Sequence, residues 1–199
     1  MENEQLIIGI TGTLGSGKGT VVEYLKTKYN FKHYSASGFI TEEIERRGLE
    51  KTRENMRIVA NDLREKFEPS YVIEQLYKKA ESAFAETGNA YSVLESIRSV
   101  GEVKFLRSQP HKFFLLAVDA DPTVRYNRIV KRGSSKDNVT FEKFIEDEQS
   151  EMNDSNPSGM QITECMKLAD GLIMNDSNFE HLQKEVDRII APLLIKKQG

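Results

Sequence analysis

Cysteine is almost absent from this sequence of 199 residues, which contains only Cys165. A disulfide within the chain and a cysteine-based zinc site are therefore both excluded. No run of apolar residues approaches the roughly 18 that a membrane-spanning helix requires, and the acidic first residues do not resemble a signal peptide. These absences favour a reducing, cytoplasmic setting and argue against a membrane partner.

An excess of basic residues is also missing. The 28 Lys and Arg residues are balanced by 31 Asp and Glu residues, giving a formal net charge of -3 and an isoelectric point near 5.8. Proteins dedicated to nucleic acids usually carry a basic excess, so we do not expect nucleic-acid binding as the main activity. A hydrophobic fraction of 38% and a charged fraction of 30% are typical of a single globular domain.

Five short apolar runs are typical of buried strands, and longer segments with helical periodicity separate them. The strand candidates are Leu6–Ile10, Phe31–Tyr34, Tyr91–Leu94, Phe113–Val118 and Gly171–Met174. The helix candidates cover residues 17–29, 39–48, 53–67, 70–87, 99–107, 122–132, 140–152, 160–168 and 178–195. This alternation predicts an α/β fold, in which helices cover both faces of a mostly parallel sheet.

The strongest motif follows the first strand and precedes an amphipathic helix. It reads Gly12-Thr13-Leu14-Gly15-Ser16-Gly17-Lys18-Gly19-Thr20. Glycines allow the tight bend in which successive backbone N–H groups surround a polyphosphate, and the following helix N-terminus favours an anion. Lys18 would add a full positive charge near the β- and γ-phosphates. The motif predicts that all nine residues bind ATP and that Lys18 is catalytic; a glycine-rich surface turn is the alternative.

The end of this motif departs from the usual pattern, in which Ser or Thr follows the lysine directly as a magnesium ligand. Here Gly19 follows Lys18, and Thr20 comes next. The Gly-Lys-Gly-Thr ending resembles nucleoside monophosphate kinases, adenylate kinase among them. The resemblance implies a three-layer P-loop NTPase fold with a five-stranded sheet, and ATP and Mg²⁺ as cofactors. It also implies that Thr20 holds a phosphate and serves the metal only indirectly.

The segment after the second strand resembles the start of the monophosphate-binding region of these kinases. It runs from His33 through Ser37 to Gly38, and the resemblance implies that Ser37 contacts the acceptor. Adenylate kinases carry an acceptor-binding arginine in the next helix, where this chain has Glu42. Further along, Arg64 is a candidate for binding the acceptor, and a surface arginine paired with a nearby carboxylate is the alternative.

The third strand leads into Glu95-Ser96-Ile97-Arg98. A branch of P-loop kinases related to dephospho-CoA kinase, seen often in archaea, reads Asp-Gly-x-Arg at this point. The resemblance implies that Arg98 binds the acceptor phosphate, as an arginine can with two parallel N–H bonds. Glu95 would orient magnesium-bound water, although it could instead cap the next helix.

The last two matches lie in the second half of the chain. Helical spacing places Arg125, Arg128 and Arg132 on one face, where similar kinases carry lid arginines. We expect Arg128 and Arg132 to act in catalysis by stabilising the charge of the transferring phosphoryl group, with a solvated basic helix as the alternative. The resemblance implies that Asn175, after the fifth strand, lines the ATP site, and a turn residue is the alternative.

Together these features predict one domain with a core of residues 1–35, 88–130 and 160–199. A helical acceptor-binding insertion would span residues 36–87, and a lid would span residues 131–159. The expected activity is ATP-dependent phosphoryl transfer to a small acceptor, a nucleoside or deoxynucleoside monophosphate. Dephospho-CoA kinase is one alternative, and a nucleotide-gated binding protein or slow NTPase is another. A homodimer is left open.

Overall fold

Five strands form the centre of the molecule in the computed structural model, which describes residues 5–133, 140–152 and 161–194. The strands are β1 (Leu6–Gly12), β2 (Lys32–Ser35), β3 (Tyr91–Glu95), β4 (Lys112–Asp119) and β5 (Gly171–Met174). They form one sheet in the order β2-β3-β1-β4-β5, and all four neighbouring pairs are parallel. The predicted fold class is therefore confirmed, and each predicted strand is present.

The described helices are α1 (Lys18–Tyr29), α2 (Ala36–Arg46), α3 (Arg53–Lys66), α4 (Tyr71–Thr87), α5 (Val100–Ser108), α6 (Pro122–Arg132), α7 (Phe141–Met152), α8 (Ile162–Lys167) and α9 (Phe179–Leu194). The largest difference from the predicted boundaries is at α2, which begins three residues early. Its start is set by Ser35, whose hydroxyl accepts a hydrogen bond from the Gly38 N–H at 3.2 Å.

Two apolar cores lie on opposite faces of the sheet, which gives the predicted three layers. One core joins α1 and α9 to the sheet through side chains such as Leu25 and Val186. The other core is formed with α2, α3, α4, α5 and α8. β1 is buried along its whole length because it lies between β3 and β4 and beneath both helical layers.

The predicted helical insertion is continuous with the second core. Ile44 of α2, Val59 of α3 and Ile73 of α4 are fully buried in the same cluster as Ile7 of β1. Part of the predicted lid, residues 134–139 and 153–159, lies outside the described residues. Its described helix, α7, packs against α6 through the buried Phe144, whose ring contacts Tyr126 and Arg125. Among the described helices, none is both long and apolar enough to cross a membrane.

Candidate active site

The nine residues Gly12–Thr20, called the phosphate loop below, connect the end of β1 to the first turn of α1. Gly12 and Gly17 adopt φ angles of 132° and 99°, which residues with a side chain rarely adopt. There is no space for side chains either. A Cβ atom on Gly12 would lie 1.9 Å from the Val118 carbonyl oxygen, and one on Gly17 would lie 2.4 Å from Asn175 Nδ2. The sequence pattern therefore reflects both the bend and the close packing behind it.

Lys18 lies over the start of the phosphate loop. Its Nζ donates hydrogen bonds to the carbonyl oxygens of Gly12 at 2.9 Å and of Thr13 at 2.6 Å. The lysine is thus held beside the backbone that would surround a polyphosphate, at the amino end of α1, where N–H groups and the helix dipole attract anions. The role of Lys18 in ATP binding and catalysis stays a prediction.

Asn175 packs behind the phosphate loop, directly after β5. Its side chain is only 6% exposed, and Nδ2 donates to the Ser16 carbonyl oxygen at 2.8 Å. Its backbone N–H donates to the Asp119 carbonyl oxygen at 2.7 Å, which ties it to the end of β4. The structure therefore brings Asn175 to the phosphate loop, where it contacts the loop backbone from outside.

Asp119 at the end of β4 and Arg125 on α6 contact the phosphate loop, and sequence reasoning did not assign either to the site. Asp119 Oδ1 accepts hydrogen bonds from the Thr13 hydroxyl at 2.6 Å and the Ala120 N–H at 2.8 Å. Arg125 of α6 is 3% exposed and donates from Nε to the Ala120 carbonyl oxygen at 2.7 Å. The available signal for Asp119 was its position at the end of the clearest strand, because parallel neighbours end at the same edge.

The three arginines of α6 differ in burial. Arg125 is buried, and its guanidinium pairs with both carboxylate oxygens of Glu148 on α7. Arg128 is half-buried, and its Nη1 atom is buried with no hydrogen-bond partner among the described residues. Arg132 is exposed at the end of α6, next to the predicted lid. The helical face predicted to carry all three thus runs from the core to the surface.

Glu102 lies between two candidate acceptor-binding residues, the side chain of Arg64 and the backbone of Arg98, at the turn between β3 and α5. Glu102, in the first turn of α5, is 1% exposed, and its Oε2 accepts from the backbone N–H groups of Arg98 at 2.7 Å and Ser99 at 3.1 Å. Its Oε1 lies 3.7 Å from Arg64 Nη2. Arg64 is 7% exposed, and its Nε atom is buried without a hydrogen-bond partner among the described residues.

The remaining acceptor-side residues lie on α2, the helix that follows β2. Ser37 is half-buried in the first turn of α2, and its carbonyl oxygen accepts from the Thr41 hydroxyl at 2.9 Å. Glu42, which stands where adenylate kinases carry an arginine, is exposed and pairs with Lys79 of α4 at 3.2 Å. Its side chain is therefore used to connect α2 with α4.

Glu95 lies at the end of β3, opposite Ile10 of β1 in the sheet register. Its Oε2 is 2.9 Å from His33 Nε2 of β2, and both side chains are largely buried. Among the described residues, no group of three or more His, Cys, Asp or Glu side chains is arranged to hold a metal ion.

Sequence comparisons find a matching family and relatives that align with almost the whole chain. The AAA domain family matches residues 11–146. The UPF0200 protein of Methanocaldococcus jannaschii is 33% identical over 190 residues, which cover 95% of this chain and 91% of that protein. The UPF0200 protein of Pyrococcus abyssi is 33% identical over 191 residues, which cover 95% of this chain and 97% of that protein.

Solved structures share the fold at low sequence identity. The crystal structure of TT1252 from Thermus thermophilus has a TM-score of 0.66 and 19% identity, over 97% of this chain and 100% of that chain. Shikimate kinase from Acinetobacter baumannii has a TM-score of 0.58 and 14% identity, over 98% of this chain and 97% of that chain. The fold is thus that of P-loop kinases, which confirms the resemblance drawn from the phosphate loop.

Proposed function

Because this chain belongs to the UPF0200 family and to the AAA domain family, and has the fold of P-loop kinases, we propose that it is an ATP-dependent phosphotransferase. The acceptor would be a nucleoside or deoxynucleoside monophosphate. An oxygen of the acceptor phosphate would attack the γ-phosphorus of ATP, the bond to the β–γ bridging oxygen would break, and ADP would leave. In this reaction the protein mainly positions the two substrates and supplies positive charge near the transferring phosphoryl group.

The observation that carries this proposal is the phosphate loop with Lys18 beside it. Lys18 Nζ contacts the Gly12 and Thr13 carbonyl oxygens, so its charge lies at the mouth of the loop. In a kinase of this kind the lysine would move onto the β- and γ-phosphates, while Arg128 and Arg132 would approach the transferring group from α6. Positioned cations there stabilise charge that spreads over the equatorial oxygens in the transition state.

The turn between β3 and α5 supports an acceptor that is itself an anion. Arg64 is almost fully buried, yet its contacts with carboxylate and amide oxygens are long, 3.7 Å to Glu102 and 3.5 Å to Asn61. A buried guanidinium with incomplete pairing lowers the stability of the fold. A phosphate bound between Arg64 and Arg98 would supply the missing hydrogen-bond acceptors. Ser37 would contribute a hydroxyl from the other side, at the end of β2.

The oxygen donors near the phosphate loop fit Mg²⁺, which prefers oxygen and keeps several waters. Thr20 offers an exposed hydroxyl in the first turn of α1, and Glu95 offers the carboxylate oxygen that does not face His33. These two residues would hold the ion through water. When bound, Mg²⁺ would neutralise part of the charge on the β- and γ-phosphates.

The direct test is ADP release measured in a coupled assay with ATP, Mg²⁺ and each of a panel of acceptors. Stimulation by one or more nucleoside monophosphates supports the proposal, and stimulation by dephospho-CoA alone selects the alternative acceptor. ATP binding with no stimulation by any acceptor would instead indicate a nucleotide-gated binding protein or a slow NTPase.

Lys18→Ala is expected to lower kcat/KM by about 100-fold to 1,000-fold, because a positioned cation is lost from the transition state. Lys26→Ala is the matched control. Lys26 is on the same helix, and in the part of the chain that the structure describes its ion pair is with the exposed Glu23 at 2.6 Å, so its removal should leave the rate unchanged. Near-normal activity of the Lys18 variant would contradict the assignment of the phosphate loop.

A further inference from the structure

The phosphate loop can bind an anion only if its peptide N–H groups point inward. Each peptide unit carries its carbonyl on the opposite side, so the same peptide orientation turns the carbonyl oxygens away from the ligand. In this structure, donors hold two of those outward carbonyl oxygens. Arg125 Nη1 donates to Leu14 at 3.4 Å, and Asn175 Nδ2 donates to Ser16 at 2.8 Å.

Both donors come from distant parts of the chain. Arg125 lies on α6 and Asn175 follows β5, and their side chains are 3% and 6% exposed. They meet the phosphate loop at its back, where it also packs tightly: a Cβ on Gly15 would lie 2.8 Å from the Arg125 carbonyl oxygen. Buried, well-packed donors keep their orientation and so restrict the peptide units that they bind.

Arg125 is itself held from two sides. Its Nε donates to the Ala120 carbonyl oxygen at 2.7 Å, and its Nη2 donates to Glu148 Oε2 at 2.9 Å. The ring of Phe144, also on α7, lies under the guanidinium, with 5.6 Å between the ring centroid and the central carbon. The geometry of Arg125 therefore depends on α7, which lies in the segment predicted to form the lid.

We propose that Arg125 and Asn175 are positioning residues for polyphosphate binding, which act by turning the Leu14 and Ser16 peptide units so that the loop N–H groups face the ligand. Glu148 keeps Arg125 in the orientation that this requires. The inference rests on the proposed function only in that the loop binds a polyphosphate. It does not depend on the acceptor.

The test uses the full chain with inorganic tripolyphosphate as the probe, titrated by calorimetry, together with the thermal unfolding midpoint of each variant. Arg125→Lys keeps the charge and loses the planar fork, and Asn175→Ala removes the other donor. Each should weaken tripolyphosphate binding by about tenfold, which corresponds to the loss of one hydrogen bond that orders the loop. Glu148→Gln should weaken it less, because an amide can still accept from Arg125.

Arg107→Lys is the matched control. Arg107 also donates to a carbonyl oxygen and a carboxylate, those of Leu168 and Asp170, but far from the phosphate loop. The Arg107→Lys variant should bind tripolyphosphate with unchanged affinity. If Arg125→Lys does not fold, the tripolyphosphate affinity of Asn175→Ala tests the proposal by itself, since Arg125 is intact in that variant.

The outcomes separate this inference from the proposed function. If the wild-type chain binds tripolyphosphate and the variants bind it equally well while melting at lower temperature, Arg125 and Asn175 are merely structural and the inference is wrong. If the wild-type chain binds neither tripolyphosphate nor ATP, the proposed function fails, and this inference fails with it.

Discussion

Ser96 shows how one residue can depart from the pattern around it. The related branch of kinases has glycine at this position, in Asp-Gly-x-Arg, and here Ser96 adopts a φ angle of 75°. The turn needs that angle because the N–H groups of Ser96 and Ile97 both donate to the Ile10 carbonyl oxygen, at 3.1 and 3.0 Å. The contact joins the acceptor-side turn to β1 just before the phosphate loop, and it is kept at the cost of backbone strain.

Ser96→Gly is expected to raise the free energy of unfolding by about 0.5–1 kcal/mol. Relief of left-handed strain, about 1–2 kcal/mol for a residue with a Cβ, outweighs the extra freedom of glycine in the unfolded chain, about 0.4–1 kcal/mol. Urea denaturation measures the difference. Asn30→Gly is the control, because Asn30 also has a positive φ, 57°, and asparagine tolerates it better. A lower stability of the Ser96 variant would contradict the strain argument.

The start of α5 illustrates how a helix terminus can organise a candidate site. Ser99 and Glu102 form a capping box, in which the Ser99 hydroxyl accepts from the Glu102 N–H while the Glu102 carboxylate accepts from the Ser99 N–H. Both residues are 1% exposed. The same carboxylate accepts from the Arg98 N–H, so the cap also holds the backbone of a candidate acceptor-binding residue.

Ser99→Ala is therefore expected to cost about 1–2 kcal/mol of unfolding free energy, near the upper part of the range for N-caps. The reason is that a buried N–H would lose its partner without access to water. Thr52→Ala gives a comparison, since Thr52 caps α3 with a single hydrogen bond from Asn55 at 3.1 Å in a less buried position. Chemical denaturation measures both variants. If they lose the same unfolding free energy, burial of the capping box has no special role.

Two apolar cores, one on each face of the sheet, stabilise the molecule. The single cysteine lies inside one of them. Cys165 of α8 is fully buried against β1 and α5 neighbours. Burial raises the pKa of its thiol to about 12 from an ordinary value of 9.0. Because only the unfolded state ionises the thiol near pH 9, this group contributes stability that is lost as the pH rises above that value.

Cys165 can therefore report the opening of the whole molecule. At pH 8 a disulfide reagent should label the native chain only as fast as it unfolds, because the thiolate is the reactive form and the folded chain suppresses it. ATP at about 100 times its dissociation constant should slow labelling by roughly 100-fold if labelling follows global unfolding. Labelling at the rate of a free thiol, with or without ATP, would contradict the buried placement of Cys165.

Local patterns were enough to predict the five strands, the parallel sheet and the phosphate loop. Each depends on residues close together in the chain: a continuous apolar run such as Leu115–Val118, or glycines where the backbone bends through Gly12 and Gly17. The start of α2 was placed too late because a single hydroxyl, that of Ser35, sets it.

The support behind the phosphate loop could not be predicted in the same way. Asn175 reaches Ser16 across 159 residues of chain, and Arg125 reaches Leu14 across 111 and Glu148 across 23. Helical spacing put Arg125 on one face with Arg128 and Arg132, but only the packing of α6 against the phosphate loop and α7 made it a buried donor. Backbone geometry follows from neighbouring residues, whereas the partner of a buried polar group depends on which distant elements the folded chain brings within hydrogen-bond distance.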